Sequence, residues 1–303
     1  MSARASKRPT AVTAPLLRRW PLPQPSVDAD KSDRGVAMVA GGSSEIPGAL
    51  LLAGVAALRS GAGKLQIAGP RSAAAPLGVA LPEARVFSLP ETNDGYLDRK
   101  AGARVIECAH ASDAILVGPG MLNDDAIRGF MDEVVRRVGE KQLVIDALAL
   151  SALRGGRYRF TEERRVVLTP NVGEMATITG DTKAAVEADP RGVAATVARD
   201  LNAVVVLKGS ETCIATPYGE VFRYSEGEVG LATSGSGDVL AGIVVGLLAR
   251  GATLDQAAVW ATFLHGAAGN RLKRRMGAIG FLARELPDEI PALMNGLSGR
   301  RAS

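Results

Sequence analysis

The sequence predicts a doubly wound α/β fold, a mostly parallel sheet with helices on both faces. Three observations carry this expectation. Short unbroken runs of Val, Ile and Leu recur along the chain and alternate with helical stretches, the pattern of strands buried on both faces. Glycines, acids and hydroxyls collect directly after those runs, and open α/β sheets bind ligands beyond the carboxyl ends of their strands. Finally, 303 residues with 47% hydrophobic and 22% charged content supply a substantial core, built from small aliphatics because aromatics reach only 4%.

The elements follow in order. Val36 to Ala40 reads as a buried strand, Gly41 to Ser44 as a turn, and Pro47 to Ser60 as a small-residue helix opened by its proline. Lys64 to Ala68, Ala114 to Gly118, Leu143 to Ile145, Val166 to Thr169 and Val204 to Leu207 read as further strands. Helices are expected over Asp124–Val138, Lys183–Asp200, Gly237–Ala249 and Leu254–Arg274. Between Cys213 and Tyr224 two short strands joined at Pro217-Tyr218-Gly219 suggest a hairpin. No linker or repeat is visible, so 36–298 is expected to be one domain of about 260 residues. Residues 1–35 are expected to be an irregular arm. The first twenty residues, with Arg4, Lys7, Arg8, Arg18 and Arg19 and no acid, faintly resemble a transit peptide, but the prolines and the missing apolar face argue against one.

Net charge of +4 and a basic isoelectric point suit anionic ligands. Lys and Arg are scattered, without a basic stripe or aromatic platform, so a nucleotide fits better than a nucleic acid. Cys108 and Cys213 lie far apart with no metal-ligand partners, which suggests two free thiols in a reducing compartment. The longest apolar run, Val239 to Ala249, is short of the roughly 20 residues a membrane helix needs. The expected location is cytoplasmic.

Two nucleotide signatures are excluded. Gly61-Ala62-Gly63-Lys64 resembles the end of a Walker A loop, but Leu65 replaces the hydroxyl residue and no glycine stands at 58. No Gly-x-Gly-x-x-Gly follows the first strand. The most informative stretch is instead Gly235-Ser236-Gly237-Asp238, which leads into an apolar helix. Helix starts carry unsatisfied N–H groups and a positive dipole end, so Gly235, Ser236 and Gly237 form a candidate anion hole. Asp238 would repel a phosphate but could take a proton from a hydroxyl attacking one. An ordinary Asp at a helix start is the plain alternative.

Other motifs keep two readings. Asn171 and Glu174 could offer oxygen ligands to a hydrated Mg²⁺, or could form a capping box. Lys208-Gly209-Ser210-Glu211-Thr212 could contact phosphate or ribose, or be a turn with a surface lysine. His265 suits a hydrogen-bonded packing role better than that of a base, and His110 has no evident partner.

Taken together, Gly41-Gly42-Ser43…Pro47-Gly48-Ala49, Leu58 to Gly63, Gly118-Pro119-Gly120, Thr169 to Glu174, Val206 to Gly209 and Gly235 to Asp238 resemble the ADP-dependent NAD(P)H-hydrate dehydratases. The resemblance runs co-linearly from Val36 to Gly280-Phe281-Leu282-Ala283 and implies a ribokinase-like fold. It implies repair of the S epimer of hydrated NADH or NADPH, with ADP or ATP as co-substrate and AMP and phosphate as products of the ADP reaction. By the same resemblance Ala49, Gly120, Asn171 and Asp238 line the substrate. Lys208 to Thr212 and Gly237 hold the adenosine phosphate, and Glu174 organises Mg²⁺ through water. A homo-oligomer is expected, with no nucleic acid and no membrane.

The chain departs from the family pattern at four places. Asn171 stands where His is usual, Ser236 where Thr is usual, Leu148 where a second Asp is usual, and Glu45 where Gly is often found. Two other readings share the same residues: a kinase of a small alcohol or vitamin precursor, and a non-catalytic ADP-binding sensor.

Overall fold

The computed structural model describes residues 8–298 apart from 27, 29, 123, 157 and 162–164. Along the chain come β1 (Thr10–Ala11), α1 (Ala14–Arg19), β2 (Val36–Ala40), α2 (Gly48–Arg59), β3 (Lys64–Pro70), α3 (Arg71–Ala80), β4 (Ala84–Leu89) and α4 (Ala101–Cys108). Then follow β5 (Ala114–Val117), α5 (Asp124–Arg137), β6 (Gln142–Ile145), β7 (Val166–Leu168), α6 (Val172–Thr179), α7 (Lys183–Ala188), α8 (Pro190–Leu201) and β8 (Val204–Leu207). The hairpin β9 (Thr212–Ala215) and β10 (Val221–Tyr224) precedes α9 (Ser236–Ala249), α10 (Leu254–Met276) and α11 (Leu286–Leu297). All ten strands share one sheet, ordered β1-β10-β9-β8-β7-β6-β5-β2-β3-β4. From β8 to β4 every pairing is parallel, while β9 runs antiparallel to both β8 and β10.

Strand residues alternate between two cores, as the twofold period of a strand requires. Ala37, Val39, Leu116, Val144 and Val167 join the core under α2, α9, α10 and α11. Met38, Ala40, Ile115, Val117 and Ile145 join the other, under α4, α5, α6 and α8. Helix α9 is buried on nearly every face, which accounts for its unbroken apolar run. It lies against α2 with backbones in close approach: a Cβ on Gly242 would fall 2.3 Å from the Ala53 carbonyl, and one on Gly246 2.5 Å from that of Ala57. The two helices therefore run parallel, and both begin at the carboxyl end of the sheet.

Several expectations need correction. The helix expected over Lys183–Asp200 is two, because Asp189 caps α8 by accepting from the Gly192 N–H and Pro190 takes the first helical position. The arm expected to be irregular carries β1 and α1, although Arg4 and Lys7 lie outside the described residues. Thr10–Ala11 pairs with β10, Trp20 stacks on Phe222, and the Trp20 carbonyl accepts from the Trp260 indole at 2.8 Å. Gly61 to Lys64 opens β3 at the end of the sheet opposite the helix starts, bonded to Gly35 and Arg34. Cys108 and Cys213 are buried free thiols.

Candidate functional site

Three successive strands end in polar residues that meet. Asp146 follows β6, Thr169 follows β7 and Lys208 follows β8. The buried Asp146 carboxylate accepts from the Thr169 hydroxyl at 2.7 Å and from Lys208 Nζ at 3.0 Å. Lys208 also lies 3.8 Å from Glu174. Burial alone would discharge that ammonium, but Asp146 and then Glu174 outweigh it and hold Lys208 above the ordinary lysine value. The lysine is therefore the fixed cation of the strand ends.

Above it stands the start of α9. Its cap, Gly235, has φ 87°, the left-handed region that suits glycine, and offers no side chain to the helix. The Ser236 N–H turns back to the Thr233 carbonyl at 3.2 Å, and the Val239 N–H bonds to Gly235. The N–H groups of Gly237 and Asp238 have no partner among the described residues. Lys208 Nζ sits directly below, 3.3 Å from where a Cβ on Gly237 would be. Burial pushes the Asp238 carboxyl up to about 7; Asp146 and Glu174 add to the rise and Lys208 opposes it. A carboxyl tuned near neutrality beside open N–H donors is suited to proton transfer next to an anion.

A cleft of about 700 Å³ opens beside this helix start, in the size range of small-molecule sites. Lys208, Gly209, Ser210, Thr212 and Asn171 line one side, and Ser236, Gly237, His265 and Gly266 the other. The parallel register of α2 and α9, followed one turn towards their N-termini, sets Ala49 level with Asp238. Gly120 abuts Ala49, since a Cβ on it would lie 2.9 Å from the Ala49 Cβ. Ala49, Gly120 and Asp238 are thus neighbours at the starts of α2 and α9, outside the lining of that cleft, which Gly237, Asn171 and Lys208 do line.

With this geometry in view, comparison with known proteins is decisive. Residues 37–292 match the family model of the NAD(P)H-hydrate dehydratases. The chain belongs to that family. It is 44% identical to the ADP-dependent (S)-NAD(P)H-hydrate dehydratase of Xanthomonas campestris, over 96% of this chain and 98% of the relative. The solved ADP/ATP-dependent NAD(P)H-hydrate dehydratase of Bacillus subtilis, co-crystallised with ATP/Mg²⁺, superposes with a TM-score of 0.83 at 31% identity, covering 97% of this chain and all of that one. The chain spans about half the length of the bifunctional NAD(P)H-hydrate repair enzyme Nnr of Moorella thermoacetica, 38% identical over 92% of this chain and 53% of that enzyme. The fold is ribokinase-like, and a member of this family is a hydro-lyase.

Several sequence-chosen residues have partners of their own. Glu211 does not line the cleft; it pairs with Arg223 across the hairpin at 2.8 Å. Ser236 lines the cleft with its N–H already engaged. Asn171 and Glu174 form a reciprocal capping box on α6, with bonds of 2.9 and 2.7 Å. Leu148 lies in the 3₁₀ segment Ala147–Leu153, half-buried against the core, and Glu45 accepts from the Tyr96 hydroxyl at 2.8 Å. Two features go beyond the sequence reading, which sets Asp146, Thr169 and Lys208 at strand ends without joining them. The Asp146–Thr169–Lys208 network joins single polar residues after separate strands, and its only linear signal is that each ends an apolar run. The Gly227–Thr233 loop bounds the cleft and has no periodicity to mark it. His265 is hydrogen-bonded, as its setting in an apolar helix suggests, and its partner is Ser236.

Proposed function

We propose that the chain dehydrates the S form of hydrated NADH or NADPH at the expense of ADP, returning the reduced cofactor with AMP and phosphate. The observation that carries this reading is Asp238, raised to about 7 in the first turn of α9, next to Gly237, which lines the cleft and whose N–H, like that of Asp238, has no partner among the described residues. In this reading the Asp238 carboxylate takes the proton of the ring hydroxyl as its oxygen bonds to the terminal phosphorus of ADP. The bond to the bridging oxygen breaks and AMP leaves. The Gly237 and Asp238 N–H groups offset charge growing on the transferred group. The hydroxyl, a poor leaving group, has become a phosphate ester, and its loss with a ring proton restores the dihydronicotinamide.

Ala49 and Gly120, both small and in contact, suit a flat ring held against the backbone. Lys208, Gly209, Ser210 and Thr212 suit the adenosine phosphate. Among the described residues no group of three His, Cys, Asp or Glu could hold a metal alone. Magnesium is ordinarily bound by one or two carboxylates plus substrate phosphates and water, so the donor set fits an ion arriving with the nucleotide, with Glu174 touching it through water. Such an ion would neutralise phosphate charge. No described helix is long and apolar enough to cross a membrane, and we take the cytoplasm as the place of work.

The test is a repair assay with hydrated NADH, hydrated NADPH, ADP and ATP. Return of dihydronicotinamide absorbance in step with AMP and phosphate is the expected result. A stable phosphorylated alcohol without that absorbance would instead establish a kinase, and nucleotide binding without any turnover a sensor.

A further inference from the structure

Ser236 enters the cleft with an oxygen and a hydrogen still to assign. Its N–H is bound to Thr233, so the only donor it can offer a ligand is its hydroxyl. That hydroxyl oxygen lies 2.9 Å from Nε2 of His265, and the Ser236 carbonyl oxygen lies 3.0 Å from the same nitrogen. A carbonyl can only accept, so Nε2 carries a hydrogen. Burial holds the imidazole down to about 4, hence neutral near pH 7, and Nδ1 is then unprotonated. One N–H between two oxygens makes both acceptors. The hydroxyl hydrogen must then point away from His265. No other partner of this hydroxyl exists among the described residues, and both Ser236 and His265 line the cleft beside Gly237.

We propose that His265 is a positioning residue, whose Nε2–H turns the Ser236 hydroxyl hydrogen into the α9 anion site as a third donor beside the Gly237 and Asp238 N–H groups. This rests on the functional reading above for its ligand, the phosphoryl group in transfer. It explains how residue 236 can serve the anion although its own backbone donor is spent. It also gives a reason for a hydroxyl residue at a helix position where the cap is glycine.

A double-mutant cycle tests it. Ser236→Ala should lower kcat by about 10- to 100-fold with KM for ADP changed far less, as loss of one transition-state donor does. His265→Leu should lower kcat by about tenfold alone, but by less than about twofold in the Ser236→Ala background. His265→Gln, which keeps an N–H donor, should recover most of the loss. Fully additive losses, or an unchanged kcat in a folded His265→Leu protein, would overturn the proposal. Thermal melting identifies variants that do not fold. An independent readout is the imidazole ¹⁵N spectrum of the wild type, where the Nε2–H tautomer is expected and the Nδ1–H tautomer sinks the idea. Should the wild type turn over no hydrate, the functional reading falls; the cycle is then read in ADP affinity by calorimetry, where additivity still overturns the role of His265.

Discussion

Helices α6 and α9 begin in almost the same way and end up doing opposite things. Each follows a strand end on the same side of the sheet, and each has an acid at its third residue, Glu174 and Asp238. At α6 the cap is Asn171, whose side chain accepts from the Glu174 N–H while Glu174 returns to the Asn171 N–H. There the N–H of the third helical residue is spent within the protein. At α9 the cap is Gly235, with no side chain to give, and the N–H groups of Gly237 and Asp238 stay open. The acid that closes a box is structural first; the acid beside an open helix start is free for chemistry. Which residue precedes the helix decides between the two.

The comparison breaks most visibly at its acids. Asp238→Asn should reduce turnover by about 10²- to 10⁴-fold while ADP binding persists, the range a positioned proton acceptor supplies. Its carboxyl has a folded value of about 7 against an ordinary 3.8, so the unfolded chain releases that proton first as pH rises. Asp238 therefore lowers stability progressively between those values, and the Asn variant should melt higher than wild type at pH 8 with a smaller gap at pH 5. In the wild type, kcat/KM should rise with pH through about 7. A profile flat from pH 5 to 9 would count against Asp238 as the base.

Lys208 links the two helix starts, since it faces Glu174, Asp146 and Asp238 together. Lys208→Met leaves these acids without their cation, and breaking a buried pair this way costs about 3–5 kcal/mol. Because Lys208 pulls the Asp238 value down, its loss should also move the acidic limb of the pH profile upward. The stability loss should be greater at pH 8 than at pH 5, where Asp238 and Glu174, both raised by burial, can take up protons. Urea unfolding at both pH values checks the sign.

A smaller effect is expected at the cap of α9. Gly235→Ala puts a Cβ where φ is 87° and 2.4 Å from Leu52 Cδ1, so the cap is strained and the Leu52 side chain must turn aside. Since the starts of α2 and α9 carry Ala49 and Asp238, a drop in kcat of about tenfold with modest destabilisation is expected, in line with the sensitivity of catalysis to small misplacements. Steady-state kinetics beside a thermal melt separates the two effects.

How much of this was legible beforehand depended on burial. The strands β2, β5, β6, β7 and β8 are built on continuous apolar runs because both faces of the sheet are covered, and they stand out in the sequence. Strand β4 at the sheet edge is half exposed, so its residues Ala84 to Leu89 carry no such run. Helix α3 contains Pro76 and Gly78, and α11 contains Pro291, residues that argue against helix in isolation and are tolerated here by packing. At the site, Gly235 to Asp238 was legible because its residues are adjacent. The Asp146–Thr169–Lys208 network was not, since only strand order brings together residues so far apart in sequence.

The smallest expected effect sharpens the contrast most, because it separates capping from catalysis at Asn171. Asn171→Ala removes the acceptor for the Glu174 N–H, and loss of such a cap costs about 1 kcal/mol, or about 1–2 °C in a chain of this size. Asn171→Asp keeps an acceptor and should keep the stability. If capping is all that Asn171 does, both variants turn over hydrate alike once folded. Asn171 also lines the cleft beside Lys208, whose N–H bonds to the Pro170 carbonyl. A contact with the substrate would therefore appear as a raised KM for the hydrate in Asn171→Ala, with KM for ADP unmoved. Asn171→Asp, stable but adding a negative charge where a phosphate-bearing substrate approaches, should raise that KM further. A KM unchanged in both variants would confine Asn171 to the helix cap and leave recognition of the hydrate to Ala49, Gly120 and Asp238.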